Sequence, residues 1–340
     1  MAKKLNDFLK EQFSKVIDEK QLIELLKTNR LNVKDIAEKF SVPVPVVWDA
    51  IDKLTDKKIM ISRDEGEYYI DAEPSIGGKK QLNPELWDGE WLRFGYVSDN
   101  HLCSHFERLD VLNLAYDFFE REGIKVVLNG GNWIDGEARF NKNEIHTTGF
   151  GRQMKYAVDH YPYREGIETW FVSGDDHEGW YNQREGVNSG DYFQMLREQA
   201  GKYDLKHLGY VEADINLNAG VFDNPMWLRV MHPGGGSAYA TSYSAQKIVE
   251  SFQPGEKPHI LFLGHFHKYD KSFIRGVHVF QMACTMDQSI FMRKKKIEAH
   301  VGYGVAEFCR NEDGYLVRVR DEFVPVYDKG FYEGKTKYWR

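Results

Sequence analysis

The sequence predicts an α/β protein preceded by a smaller, mainly helical domain. Beyond about residue 90, short apolar runs of strand length alternate with stretches of helical length, the grammar of buried strands covered by helices. Before residue 70 the apolar residues instead recur at helical spacing, broken by short turns. Between the two, AEPSIGGKKQLNPELWDGE is rich in turn formers and reads as a linker over residues 72–90. The expected division is therefore residues 1–71, the linker, and residues 91–340.

In the first part, LIELLKTNR and LNVKDIAEKF read as two helices, and VPVPVVWDAIDKLTDKK as a third that begins near its prolines. IMISRDEGEYYI alternates and turns at Asp64-Glu65-Gly66, as a hairpin does. Three short helices and a hairpin resemble a winged helix-turn-helix domain, and that resemblance implies a third helix able to enter a DNA major groove. This helix is poorly equipped for it, with Asp49, Asp52 and Asp56 set against Lys53, Lys57 and Lys58. Phosphate contact would fall to Lys57, Lys58 and Arg63. A protein partner or self-association through this domain is the alternative.

In the second part the strands are LRFGYVSD, IKVVLNGG, IETWFVSGDD, MWLRVMHP and HILFLGHFH, with helices around residues 106–121, 149–160, 189–200 and 242–252. A hydrophobic content of 42% over 340 residues is enough for a sizeable core. The formal net charge of -7 gives no global basic field, so any polyanion site must be local. Cys103, Cys284 and Cys309 lie far apart without zinc-like spacing, which fits a reduced compartment and buried small side chains. The start, MAKKLNDFLKEQF, lacks a signal-peptide core and no run of about 18 apolar residues occurs, so the expectation is a cytoplasmic protein without a membrane partner.

Chemistry collects where these strands end. The first ends in Asp99-Asn100-His101 and the second in Gly130-Gly131-Asn132, with Asp135 close behind. The third ends in Gly174-Asp175-Asp176-His177-Glu178, the fourth in His232, and the fifth in Gly264-His265-Phe266-His267. Ligands of open α/β sheets sit outside the carboxyl ends of strands, so five such endings can converge on one crevice. One HxH pair alone is more often a satisfied or surface histidine; five endings in one register are hard to dismiss. Imidazole with carboxylate suits Mn, Fe, Zn or Ni rather than Ca.

In order, Asp99-x-His101, Gly131-Asn132-x-x-Asp135, Gly174 with Asp176-His177-Glu178, His232 and Gly264-His265-x-His267 resemble the motifs of the calcineurin-like metallophosphoesterases, in particular their DNA-repair-nuclease-like branch. The resemblance covers about residues 92–325. It implies an αββα two-sheet metallophosphoesterase sandwich behind the small winged-helix domain, and two divalent metal ions: Mn first, with Fe, Zn, Ni or Mg as alternatives. Carried over by position, Asp99, His101 and His267 would hold one ion, and Asp176, His232 and His265 the other. Asn132 stands where the family has a bridging Asp, and Asp176 where it has Asn. The loop has one residue more than the family motif, which leaves Asp175 as an alternative ligand. His177 is the implied general acid, and Asp135 and Glu178 the residues that orient ligands.

Arg139 and Lys142 after the second strand, and the run Arg293-Lys294-Lys295-Lys296, are candidate phosphate contacts; a solvated loop and a solvated helix end are the ordinary alternatives. Three functions compete: a metal-dependent DNA nuclease or phosphodiesterase of a bacterium or bacteriophage, a phosphatase acting on a small molecule or protein, and a winged-helix regulator with a degenerate phosphoesterase body. Asn132 keeps the third open.

Overall fold

The computed structural model describes residues 16–56, 61–64, 67–69, 79–236, 238, 240–253 and 255–326. The chain divides into two compact units, Met1–Ser75 and Ile76–Arg340. In the first, helices Glu19–Thr28, Val33–Phe40 and Val44–Asp56 accompany three short strands, β1 (Leu31–Asn32), β2 (Ser62–Asp64) and β3 (Glu67–Tyr69). β3 lies between β1 and β2 and is antiparallel to both. Leu31 and Asn32, read as the start of the second helix, form β1 instead. The cause is local: the Asn32 side chain accepts from the amides of Lys34 and Asp35 and so fixes the helix start at Val33. Leu22, Leu26, Ile36, Val47, Ile51, Leu54 and Tyr68 fill this unit's core. Lys57 and Lys58, expected phosphate contacts, lie outside the described residues, as do residues 72–78 at the head of the expected linker.

The rest of that linker is not a linker. Lys79–Gln81 forms β4, parallel to β9 (Glu212–Asn216), and Asn83 caps a 3-10 turn over Pro84–Leu86. Turn formers dictate the backbone here, but Leu82 and Trp87 are buried anchors, and the Trp87 indole donates to the Leu217 carbonyl at 3.0 Å.

Two six-stranded sheets follow. One has the order β15 (Leu316–Pro325), β14 (Gly302–Arg310), β5 (Trp91–Val97), β6 (Val126–Asn129), β7 (Glu168–Ser173), β8 (Leu205–Tyr210), parallel from β5 to β8. The other runs β12 (Asp270–Ile274), β13 (Val277–Gln281), β11 (Ile260–Leu263), β10 (Trp227–Met231), β9, β4, with β10, β11 and β13 parallel. Their inner faces meet in one apolar layer in which Phe94, Tyr96, Leu128 and Val172 oppose Val230, Phe262 and Phe280. Phe262 and Phe280 stack at 4.5 Å. Helices Leu109–Arg121, Phe150–His160 and Ser189–Gln199 cover the outside of the first sheet, and Tyr243–Ser251 the outside of the second. The architecture is αββα.

The five strands read from apolar runs are β5, β6, β7, β10 and β11. Much of what was not read lies toward the sheet margins. β15 alternates half-buried with exposed positions and carries Arg318, Arg320 and Asp321, so it lacks the apolar run that marks a central strand. No described helix is long and apolar enough to cross a membrane.

Candidate metal centre

The connections that follow β5, β6, β7, β10 and β11 meet at one end of the sandwich. The Asp99 amide donates to the Gly131 carbonyl at 3.0 Å, joining the loops after β5 and β6, and the His232 amide to the Val211 carbonyl at 2.7 Å, joining the end of β10 to the β8–β9 connection. Glycine is required where they cross. A Cβ on Gly264 would stand 2.4 Å from the Gly130 carbonyl oxygen, and one on Gly131 only 2.6 Å from His232 Nδ1. Asp99, His101, Asn132, His177, His265 and His267 all have positive φ between 46° and 78°. Side-chain-bearing residues hold that conformation only when their surroundings enforce it, and such strain gathers at functional sites.

Two clusters result. Ligand-type atoms of Asp99, His101 and His267 lie within 4.8 Å of one another, as do those of Asp176, His232 and His265. In the first, His101 Nε2 and His267 Nε2 are 3.2 Å apart and Asp99 Oδ1 is 3.3 Å from His267 Nε2. In the second, Asp176 faces His232 Nε2 at 3.4 Å through one oxygen and His265 Nδ1 at 3.5 Å through the other. Neither imidazole nitrogen has a hydrogen-bond partner, nor does Asp176 Oδ1.

The chain sets the direction of these lone pairs from behind. His101 Nδ1 donates to Asp135 Oδ1 at 2.8 Å, His232 Nδ1 to the Gly130 carbonyl at 2.6 Å, and His265 Nε2 to the Gly235 carbonyl at 2.7 Å. In each ring one nitrogen is thereby committed as donor and the other is turned toward the cluster, the orientation a metal-binding histidine needs. Asp135 is itself held by the Asn141 amide at 3.0 Å. Because His101 Nδ1 is committed to Asp135, the neighbouring group of His101, Asp135 and His177 is a buttress rather than a third site. Glu178 is fully buried and accepts from the amides of Asn132 and Gly174 at 2.9 and 2.8 Å, clamping the loops after β6 and β7.

Electrostatics point the same way. Burial opposes ionisation of Asp99, but His267, His232 and His101 around it hold the carboxyl well below its usual range. Burial likewise opposes ionisation of Asp176, which His232 and His265 push far down. Burial and the nearby His177 lower His101 to about 4, against the pull of Asp135, so it is neutral at pH 7. Burial opposes charge on His232, yet Asp176 and Asp99 raise it to about 9. Carboxylates held ionised in a buried centre demand positive charge, from protons on imidazoles or from divalent cations. The orphaned nitrogens and carboxylate oxygen fit cations. Adding Mn at about 100 times its Kd is expected to stabilise the protein by about 2.7 kcal/mol per ion bound in chemical denaturation, an effect that a chelator should remove.

Other expected site residues fall in distinct places. Asn132 lies beside the second cluster: its buried Oδ1 has no hydrogen-bond partner and, like Asp176 Oδ1, stands 3.0 Å from where a Gly174 Cβ would be. Asp176 joins the second cluster; Asp175 is exposed and belongs to neither. His177 Nδ1 donates to the Asp135 backbone carbonyl at 2.8 Å, and its ring lines the cavity over the clusters. Arg139 and Lys142 are exposed and not part of the cavity lining. Of the basic run, which ends helix Ile290–Lys295, only Lys295 lines the cavity. Sequence reasoning missed Ser98, whose hydroxyl donates to Asp99 at 2.5 Å, and the wall made by Phe140, Trp180 and Phe291.

No family model matches this sequence, and no curated protein does. Among solved structures, the chain is similar to an archaeal phosphodiesterase, 12% identical, with 68% of this chain and 100% of that chain covered and a TM-score of 0.37. It is also similar to Vps29 of Entamoeba histolytica, complexed with zinc, at 13% identity over 69% of this chain and 99% of that one, TM-score 0.34. A 5′-nucleotidase precursor from Thermus thermophilus is 13% identical, with 69% of this chain and 54% of that chain covered, TM-score 0.34.

Proposed function

We propose that this protein is a metallophosphoesterase of the calcineurin-like type, and that it acts as a phosphodiesterase on DNA with Mn as its metal. The observation that carries this reading is the pair of His–Asp clusters opening into one cavity of about 530 Å³. Two divalent ions there would act as Lewis acids, polarising a phosphoryl oxygen and lowering the pKa of water. Asp99, His101 and His267 would hold one ion; Asp176, His232 and His265 would hold the other. Asp135, Gly130 and Gly235 keep the imidazole lone pairs facing the ions.

His177 would give the proton to the leaving oxygen in this reading. Its Nδ1 is committed to the Asp135 carbonyl, which leaves Nε2 for the substrate. Burial disfavours charge on His177, but Asp135 and Asp176 raise it to about 9, so the proton is in place at neutral pH. In this reading the small N-terminal unit, as a winged-helix-like module, holds DNA, and Lys295 meets a backbone phosphate at the cavity rim. A phosphatase acting on a small molecule would use the same centre. Steep loss of binding as salt is added separates the two, because only a polyanion releases many counterions.

Asn132 favours one further reading, that of a regulator whose phosphoesterase body has lost its chemistry, since an amide oxygen bridges two cations less well than a carboxylate. The test is hydrolysis of bis-p-nitrophenyl phosphate and of labelled single- and double-stranded DNA with Mn, in this chain and in Asn132→Asp. Asn132→Asp is expected to tighten Mn binding by ~10-fold or more, the scale of changes around metal ligands. Turnover by the unaltered chain supports the enzyme. Activity only in the variant supports the regulator, and inactivity in both overturns the phosphodiesterase reading.

A further inference from the structure

The cavity over the clusters has two unlike halves. One is the polar floor of His and Asp side chains. The other is an aromatic wall that the metal chemistry does not require. It is assembled from three separate segments: Phe140 from the loop after β6, Trp180 from helix Glu178–Glu185, and Phe291 from helix Ile290–Lys295. Phe140 sits between the other two, 5.6 Å from Phe291 at an interplanar angle of 33° and 5.3 Å from Trp180 at 85°. Trp180 in turn packs 4.6 Å from His177, the residue facing the leaving group, so the wall is continuous with the reacting end of the cavity.

Phe140 is 57% exposed and Phe291 41% exposed. Large apolar rings left open to water in a cavity mouth lose burial that folding would otherwise provide, and such patches mark binding surfaces. Lys295, one helical turn beyond Phe291, puts a cation on the same side. A substrate group that suits this half is flat, polarisable and attached to an anion lying toward the floor. A nucleobase carried on its sugar-phosphate meets all three conditions, and base stacking on aromatic side chains tolerates any sequence because every base has a π-face.

We propose that Phe140, Trp180 and Phe291 form a stacking platform for the nucleobase next to the scissile phosphodiester, with Lys295 on the adjoining phosphate, so that the substrate class is a strand whose base is unpaired at the cut. The proposal rests on the phosphodiesterase reading for its hydrolytic test but not for its binding test. Each stacked base is worth about 5- to 150-fold in binding. The double-stranded form would have to open a base pair to use the platform, so single-stranded DNA is the better substrate.

The experiment uses the full chain with Mn and compares an oligodeoxynucleotide with copies bearing one abasic residue at successive positions, in the unaltered protein and in Phe140→Ala, Phe291→Ala and Phe140→Tyr. The expected result is a drop in kcat/KM of about 5- to 150-fold when the abasic residue adjoins the cut. That discrimination should shrink toward one in both alanine variants and survive in Phe140→Tyr. Equal cleavage of intact and abasic strands by the unaltered protein, or discrimination unchanged in both alanine variants, overturns the platform and leaves the phosphodiesterase reading standing. Calorimetric binding of thymidine 5′-monophosphate against deoxyribose 5-phosphate is the second readout. With no hydrolysis at all, tighter binding of the nucleotide that is lost in Phe140→Ala upholds the platform while the enzymatic reading fails. Equal binding of the two overturns the platform as well.

Discussion

On the proposed reading, His232→Ala is expected to lower metal-dependent phosphodiester hydrolysis by ~10²–10³-fold, the scale seen when one preorganised contact to developing charge is removed. His232 is fully buried, its Nδ1 is spent on the Gly130 carbonyl, and its Nε2 faces Asp176 with no other partner. Alanine leaves Asp176 and His265 with only the neutral Asn132 oxygen beside them, too weak a set to hold a divalent ion. Titration with Mn should then register one site where the unaltered protein registers two. The Mn-induced gain in stability should shrink with it, which separates loss of an ion from loss of the fold. Unchanged Mn stoichiometry and turnover in His232→Ala would remove the second cluster from the mechanism.

Asp204→Ala is expected to be the most damaging change away from the centre, costing about 3–5 kcal/mol because it leaves a buried charge without its partner. Arg197 is completely buried, and its guanidinium makes a two-pronged pair with Asp204, both contacts at 2.9 Å. It also donates to the carbonyls of Val158, Tyr161 and Pro162 at 2.6, 3.1 and 2.9 Å, binding helix Ser189–Gln199 to the end of helix Phe150–His160. Those carbonyls stay in place in the variant but supply no net negative charge. Urea unfolding measures the loss through the midpoint at constant slope. A double variant, Arg197→Met with Asp204→Ala, should recover part of it, because the desolvated charge itself is then gone.

Much of the centre is written locally in the chain. An apolar run that stops at glycine and gives way to histidine or aspartate marks a central parallel strand and the loop beyond it, as in ILFL before Gly264-His265. Central strands carry that signal because both their faces are buried. Edge strands do not: β15 presents one side to water, and its arginines interrupt the pattern that would reveal it. The short strand β4 was hidden for another reason, since its three residues are polar and its pairing with β9 lies more than a hundred residues away along the chain. In the N-terminal unit, Asn32 shows the opposite case, where one side chain's capping bonds override the helical period of its neighbours.

Which residue types stand at five strand ends, and in what order, is legible in the chain alone, because strand formation and glycine turns are decided by neighbours along it. Which of them meet is set by packing between distant segments. The grouping of Asp99 and His101 with His267 depends on two sheets packing face to face, and the choice of Asp176 over Asp175 depends on which way one loop residue turns after β7. The free nitrogen of each imidazole was equally beyond local reading, since it is set by carbonyls and a carboxylate 30 to 102 residues away. The same holds for the aromatic wall, whose rings come from three segments with no shared motif. Periodicity reports a residue's relation to its own strand or helix; contacts across segments arise from packing, which chain order does not encode in any short window.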